Sequence, residues 1–180
     1  KFLKYVREKT KNKDIPLIFD ECTTGFRETN SGIYKKYKII PDIVMYGKSL
    51  SNGYAFSALV GKKKIMQESE QSFISSTAWT ENVGPTAAIA TLTEMSKIKS
   101  WKKISTLGKY LKNKWRHLAK KNKLKVKIYG IDAIPKFEII SKDFIIYKTF
   151  ITQEMLKHRI LANNIVYVST CHTKKIINKY

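Results

Sequence analysis

The sequence predicts an α/β fold in which a mostly parallel sheet with helices is followed by a smaller α+β unit. Three observations predict it: an amphipathic helix leads into the apolar run PLIFD, a second short apolar run, IVMY, follows a turn-rich connection, and strands and helices alternate in a looser order beyond residue 100. A strand covered on both faces reads as an unbroken apolar run, and a helix followed by such a strand is the pattern of a parallel sheet.

Phe2, Leu3, Tyr5 and Val6 fall on one side of a helix over Phe2 to Lys11, with Lys and Arg on the other, and Lys13 and Asp14 end it. Ile15 to Phe19 is the first strand, and Asp20 stands at its carboxyl end. Ligands of open α/β sheets bind outside those ends, so Asp20 is a candidate site residue; a helix or turn cap is the plainer role for the same side chain. Glu21 to Lys38 reads as a connection, with Gly25 and Gly32 at positive φ. Ile43 to Tyr46 is the next buried strand and delivers Gly47 and Lys48. An ammonium directly after a buried strand must be paired, deprotonated or covalently modified, unless its stem snorkels to the surface. Gly47, Ser51, Asn52 and Gly53 favour close backbone approach to a bound group.

Ala55 to Gly61 is a third strand, Lys62 to Gln67 a short helix, and Ser72 to Thr80 a loop of small polar residues. PTAAIATLTEM, from Pro85 to Met95, is an Ala-rich helix with Pro in its first turn. Thr80, just upstream, either caps or offers its hydroxyl where a helix start holds phosphate oxygens. Trp101 to Asn122 is a long amphipathic helix whose Ile104, Leu107, Leu111, Trp115 and Leu118 form a core stripe. Strands at Val126 to Tyr129 and Phe137 to Ile140, a helix from Phe150 to Asn163, a strand at Val166 to Ser169 and a last short helix complete the chain. The change of pattern places a domain boundary near residues 100 to 105, giving domains over 1–100 and 101–180.

Thirty-five Lys and Arg against 14 Asp and Glu leave a net charge of +21. Such a balance ordinarily points to nucleic acid or an anionic membrane. Here the excess is mostly Lys, is spread over the whole chain and comes with many Ile, Asn and Tyr, so it reads as a compositional bias; no nucleic-acid and no membrane partner is expected. The densest part, Lys109 to Lys127, reads as the solvated face of a helix. A hydrophobic fraction of 43% with 12% aromatics excludes a disordered tail. Cys22 and Cys171 lie far apart and form neither a CxxC nor a zinc-type cluster, which suits reduced thiols in a cytoplasmic protein. No apolar run approaches the ~18 residues of a membrane-spanning helix. The chain opens without Met inside a helix and stops where another has barely begun, so it reads as a fragment of a longer protein.

Three stretches, PLIFDECTTGFR, YKIIPDIVMYGKSLSNGYAFSALVGKKKIM and STAWTENVGPTAAIATL, occur in one order that resembles the fold-type I, class III pyridoxal-phosphate aminotransferases, in particular the branch similar to glutamate-1-semialdehyde aminomutase. The similarity runs through nearly the whole chain, and FITQEMLKHRILANN with VYVSTCHT resembles that family's small carboxyl-terminal domain. The resemblance implies pyridoxal 5'-phosphate as cofactor, Asp20 as partner of its pyridinium nitrogen, Lys48 as the Schiff-base lysine and Thr80, five residues before Pro85, as a threonine holding the phosphate across a subunit boundary. The working unit would then be a homodimer acting on a small-molecule amino donor and acceptor. Cys22 stands where the family often has Val against the ring, Thr23 where many members have Gln near the phenolic oxygen, and Arg159 where Gly is expected at a turn. The glycine-serine or glycine-threonine phosphate loop and the ring-stacking aromatic of the family would lie upstream of Lys1.

Three functions are weighed: transamination through Lys48, an intramolecular aminomutase reaction of the glutamate-1-semialdehyde type, and a basic nucleic-acid-binding module without catalysis. The sequence disfavours the last, because a uniform Lys excess needs no binding role while the three motifs do.

Overall fold

The computed structural model describes residues 1–75, 77 and 79–180. Ser76 and Ala78, inside the loop predicted at Ser72 to Thr80, lie outside the described residues. The fold is mixed α/β, and its contacts divide it into units Lys1–Lys99 and Ser100–Tyr180.

In the first unit, α1 (Phe2–Asn12) precedes β1 (Ile18–Asp20). The short α2 (Tyr34–Tyr37) leads to β2 (Ile43–Tyr46), and β3 (Ala58–Gly61) is followed by α3 (Lys63–Gln67) and α4 (Val83–Ile98). The sheet order is β1-β2-β3. β1 and β2 are parallel with Ile18 opposite Ile43 and Asp20 opposite Met45, whereas β3 returns antiparallel with Val44 opposite Val60. The pleat aims Val44 and Tyr46 into a core with Phe26, Leu50 and Ala88 of α4. The opposite face is open: Ile18 and Leu59 are more than half exposed. The expected strand covered on both faces is therefore covered on one, and of the run Ile15 to Phe19 only Leu17 is buried. An apolar run records that a strand needs cover, not which element provides it.

Two glycines differ from expectation. Positive φ falls on Phe26 (61°) and not on Gly25 or Gly32. Crowding explains them instead: a Cβ at Gly25 would sit 2.7 Å from the Glu21 carbonyl oxygen, and one at Gly32 2.4 Å from the Tyr34 ring. Helix α4 starts two residues before Pro85, whose missing N–H is harmless in a first turn.

Asp42, 6% exposed, ties the entry to the sheet together. Its Oδ2 accepts the Leu17 N–H at 2.8 Å and Arg7 Nη1 at 2.6 Å, its Oδ1 meets Lys62 Nζ at 2.6 Å, and its own N–H donates to the Leu17 carbonyl at 2.8 Å. One carboxylate thus joins α1, the approach to β1 and the residue after β3.

In the second unit, α5 (Ser100–Lys121) is followed by the antiparallel pair β4 (Val126–Tyr129) and β5 (Lys136–Ile139), then α6 (Phe144–Lys157) and α7 (Lys174–Lys179). Ile104, Leu107, Leu111 and Trp115 of α5 enter a core with Ala133, Phe137, Val168 and Ile177, and Trp115 meets Phe137 edge-on at 4.9 Å. Leu118, expected in that stripe, is half exposed. Gly108 admits the Ile131 to Ala133 segment so closely that a Cβ would lie 1.6 Å from the Asp132 carbonyl oxygen.

The helix expected from Phe150 to Asn163 runs six residues earlier, from Phe144 to Lys157. It stops because Arg159 takes a left-handed φ of 61°, and the Ile160 amide turns back to the Met155 carbonyl. The strand expected at Val166 to Ser169 is an extended segment: Val166 and Val168 amides donate to the Pro135 and Ala133 carbonyls at 3.1 Å, with a single bridge between Lys136 and Ile165. Among the described residues, no helix is long and apolar enough to cross a membrane.

Burial alone would raise the Asp42 pKa, but the hydrogen bonds from Leu17, Lys62 and Arg7 outweigh it and hold the carboxyl at about 2, against 3.8 ordinarily. A folded-state value below the unfolded one stabilises above about pH 4 and stops doing so as pH falls through 2. Asp42→Asn is expected to lower unfolding free energy by about 1–2 kcal/mol at neutral pH, with partly exposed partners moderating the figure. In urea titrations from pH 7 to 2, the gap between variant and parent should close toward pH 2; a gap independent of pH would contradict the assignment.

Candidate active site

The parallel register brings two strand ends side by side. Asp20 closes β1 opposite Met45, and two residues further on Cys22 meets Gly47. A Cβ on Gly47 would lie 3.4 Å from Cys22 Sγ, so the two loops approach to ordinary contact. Gly47 is extended, and Lys48 then takes a left-handed φ of 46° at the start of a 3-10 turn that ends at Leu50. That conformation is uncommon for a residue with a side chain and costs on the order of 1–3 kcal/mol.

The Lys48 side chain is exposed, and its Nζ donates a 2.6 Å hydrogen bond to Thr23 Oγ1. The sequence suggested an ammonium buried by the strand before it. The structure instead ends the buried part at Gly47 and turns the lysine outward, where a hydroxyl receives it.

Asp20 is exposed, and its Oδ1 accepts the Cys22 amide at 2.9 Å. Hydrogen bonds from the Cys22 amide and then its thiol hold the Asp20 carboxyl below the usual range, with the Lys48 charge a smaller contributor. Cys22 is half-buried; burial first, then Asp20, pushes its thiol pKa up.

The loop that carries Cys22 and Thr23 is held from beneath by Glu21, which is 1% exposed. Its carboxylate accepts the Thr24 hydroxyl and the Tyr34 amide, and its own amide donates to the Met45 carbonyl at 2.8 Å. Arg27 Nε donates to the Thr23 carbonyl at 2.7 Å. Sequence reasoning passed over both Glu21 and the contact of Thr23 with Lys48. Strand alternation was the available signal for the first, since neighbours such as Asp20 and Glu21 point to opposite faces; nothing in the spacing signals the second.

A cleft of about 790 Å³ opens beside these residues, with Cys22, Gly47, Lys48, Phe56, Trp79 and Pro85 in its wall. Asp20 is tied to that wall through the Cys22 amide. Thr80, exposed in the turn before α4, stands between Trp79 and Glu81, both of which line the cleft. Asn52, with φ 50°, borders a separate hollow of about 520 Å³ with Ser51, Asn82 and Thr86. The structure therefore gathers Asp20, Cys22, Thr23 and Lys48, sets Thr80 beside the cleft wall and directs Asn52 elsewhere.

The sequence profile of the family described as aminotransferase class-III matches residues 1–177. Glutamate-1-semialdehyde 2,1-aminomutase of Methanocaldococcus jannaschii is 33% identical over 150 residues, covering 82% of this chain and 35% of that protein. The 3-aminobutyryl-CoA aminotransferase of Cloacimonas acidaminovorans is 28% identical over 163 residues, covering 88% of this chain and 39% of that protein. The chain thus spans little more than a third of the length of these two relatives. Among solved structures, the FumI protein of Sphingopyxis sp. MTA144, in its PLP internal aldimine form, has the same fold with a TM-score of 0.90 at 22% identity, over 99% of this chain and 44% of that one.

The environment of Cys22 makes a prediction of its own. The thiolate is the reactive form, so a thiol whose pKa is pushed up reacts slowly. At about pH 8, alkylation followed by peptide mass spectrometry should label exposed Cys171 ahead of Cys22, and Asp20→Asn should speed labelling of Cys22 several-fold. Faster labelling of Cys22 than Cys171 in the parent would contradict the electrostatic account.

Proposed function

The chain belongs to the class-III aminotransferase family, and on that premise we propose that it carries the lysine side of a pyridoxal 5'-phosphate site in an enzyme that moves an amino group. The observation that supports this reading most directly is the convergence of Asp20 and Lys48 at the paired ends of β1 and β2, beside one cleft.

The donor set fits that cofactor. A carboxylate kept ionised by fixed hydrogen bonds suits a protonated ring nitrogen, and a primary amine in the cleft wall suits a carbonyl carbon. Cys22 offers a half-buried wall of about the size of Val for a flat ring. Bound there, pyridoxal phosphate supplies a carbonyl for amine exchange and a ring that takes up the electrons left when a substrate carbon loses its proton.

The chain's own residues do the rest. Asp20 keeps positive charge at the ring nitrogen. Lys48 Nζ is the nucleophile toward the carbonyl and, when free, the base that takes a proton from one carbon and returns it to another. The Thr80 hydroxyl, in the turn ahead of α4, holds a phosphate oxygen where the helix start favours negative charge. In this reading Thr80 serves the site across a subunit boundary, so the working unit is a homodimer in the cytoplasm. Residues 1–100 belong to the large cofactor domain and 101–180 to a small carboxyl-terminal one. The substrates are a small amino donor and a keto or aldehyde acceptor.

A second reading is an intramolecular aminomutase, favoured by the 33% identity to glutamate-1-semialdehyde 2,1-aminomutase. Both readings use Lys48 in the same way. They differ in whether the amino group leaves with the cofactor.

Borohydride reduction of the intact protein with pyridoxal phosphate is expected to fix a phosphopyridoxyl group on the Lys48 peptide, and Lys48→Ala should abolish both that adduct and the colour of the protein. An adduct elsewhere, or one that survives the substitution, would overturn the proposal. On the same protein, stoichiometric release of a keto product after mixing with an amino donor supports transamination, and return of a rearranged amino compound supports the mutase.

A further inference from the structure

Lys48 has two oxygen-bearing neighbours, the Asp20 carboxylate, on which its charge acts, and the Thr23 hydroxyl. Its amine is on the hydroxyl, at 2.6 Å. Asp20 meanwhile accepts the Cys22 amide and makes no ion pair with Lys48 among those recorded for the described residues. An ammonium ordinarily prefers a carboxylate to a neutral hydroxyl, since the charged hydrogen bond is about twice as strong. The backbone opposes that preference here.

Both ends of the Lys48–Thr23 contact are anchored. Thr23 sits between Cys22, whose amide is tied to Asp20, and Thr24, whose hydroxyl is tied to buried Glu21, while its carbonyl takes Arg27 Nε. A β-branched side chain on a fixed backbone has few rotamers, so its hydroxyl is fixed too. At the other end, Lys48 leaves Gly47 with a left-handed φ of 46°, in a turn closed by the Leu50 amide on the Gly47 carbonyl at 3.0 Å. A lysine stem has four rotatable bonds and would otherwise sample many positions.

We propose that Thr23 is the positioning residue for Lys48, its hydroxyl holding the free amine at the cleft mouth and clear of Asp20. The separation matters because the two groups have different partners. A carboxylate neutralised by the lysine would no longer face a ring cation, and an amine lying on the carboxylate would no longer face a carbonyl. Thr23 keeps both groups available without contributing charge. The proposal rests on the reading of Lys48 as the cofactor lysine, and its small-reagent arm stands apart from that reading.

The test compares the intact protein with Thr23→Val, which keeps the shape and removes the hydroxyl, and Thr23→Ser, which restores it. Two rates are measured at Lys48 by peptide mass spectrometry: capture of pyridoxal phosphate, quenched with borohydride at intervals, and reductive methylation by formaldehyde in cofactor-free protein. The two should move in opposite directions in Thr23→Val. Capture of the bulky, bound aldehyde slows about tenfold, the size of one lost hydrogen bond, because the amine is no longer aimed. Methylation quickens about threefold, because a small reagent needs no aim and the amine is no longer tethered. Thr23→Ser returns both rates to within about twofold of the parent, with thermal unfolding unchanged across the set. Rates that do not change, that move together, or that Ser fails to restore overturn the proposal. If the parent fails to capture pyridoxal phosphate at Lys48 while the methylation pattern holds, the cofactor reading falls and the hold of Thr23 on Lys48 stands.

Discussion

The pairing of Asp20 with Met45 is the constraint on which the rest of the site depends. From that one parallel register, Cys22 comes level with Gly47, the two loops touch, and the loop that Asp20 begins meets the loop that carries Lys48, 28 residues further along the chain. A slip of one residue would send every side chain of β1 to the opposite face, exchanging the places of Asp20 and Glu21. The register is therefore secured at both ends. Before the strands, Asp42 and Leu17 exchange backbone and side-chain hydrogen bonds, with Arg7 and Lys62 completing the carboxylate; after them, buried Glu21 binds the loop to β2.

Buried and exposed carboxylates divide the labour in this unit. Asp42 and Glu21 are buried, take several donors and hold strand ends in place, whereas Asp20 is exposed and takes the Cys22 amide. Strain is placed in a similar way. Lys48 stands in a left-handed conformation that a lysine adopts at some cost, next to the glycine through which the loops meet. The Leu50 amide on the Gly47 carbonyl closes that turn, and the Thr23 hydroxyl receives the amine at its far end.

Much of this was legible in the chain itself. The runs PLIFD and IVMY showed where strands end, and Asp20 and Lys48 stood out because each follows such a run, as Thr80 did because a helix start follows it; that Cys22 belongs with them, and which cofactor they would serve, came only from the resemblance of the three motifs to a known family. Long helices were legible too, since Ile104, Leu107, Leu111 and Trp115 repeat at the period of a helix and are buried as that period implies. Less legible were the ends of elements. The helix read at Phe150 to Asn163 begins at Phe144 because FIIY is as apolar as the residues after it, and it ends at Lys157, ahead of a left-handed backbone angle at Arg159 that no periodicity encodes. Leu118 continues the stripe of α5 yet is half exposed, because a stripe reports the face of a helix and not how far the core extends along it.

The sequence by itself determined the kinds of residue at each strand end, the order of the motifs and the periodic faces of the helices, all of which are local properties of the chain. Only the tertiary structure decided that Gly25 and Gly32 answer to crowding, that Gly108 must admit a carbonyl, that Glu21 lies buried beneath the loop and that Lys48 rests on the Thr23 hydroxyl. The last three of those outcomes join residues far apart along the chain, 25 positions in the final case. A periodic pattern measures which way a side chain faces relative to its own element; which atom it meets there depends on the register between elements, and that is settled only when the strands pair.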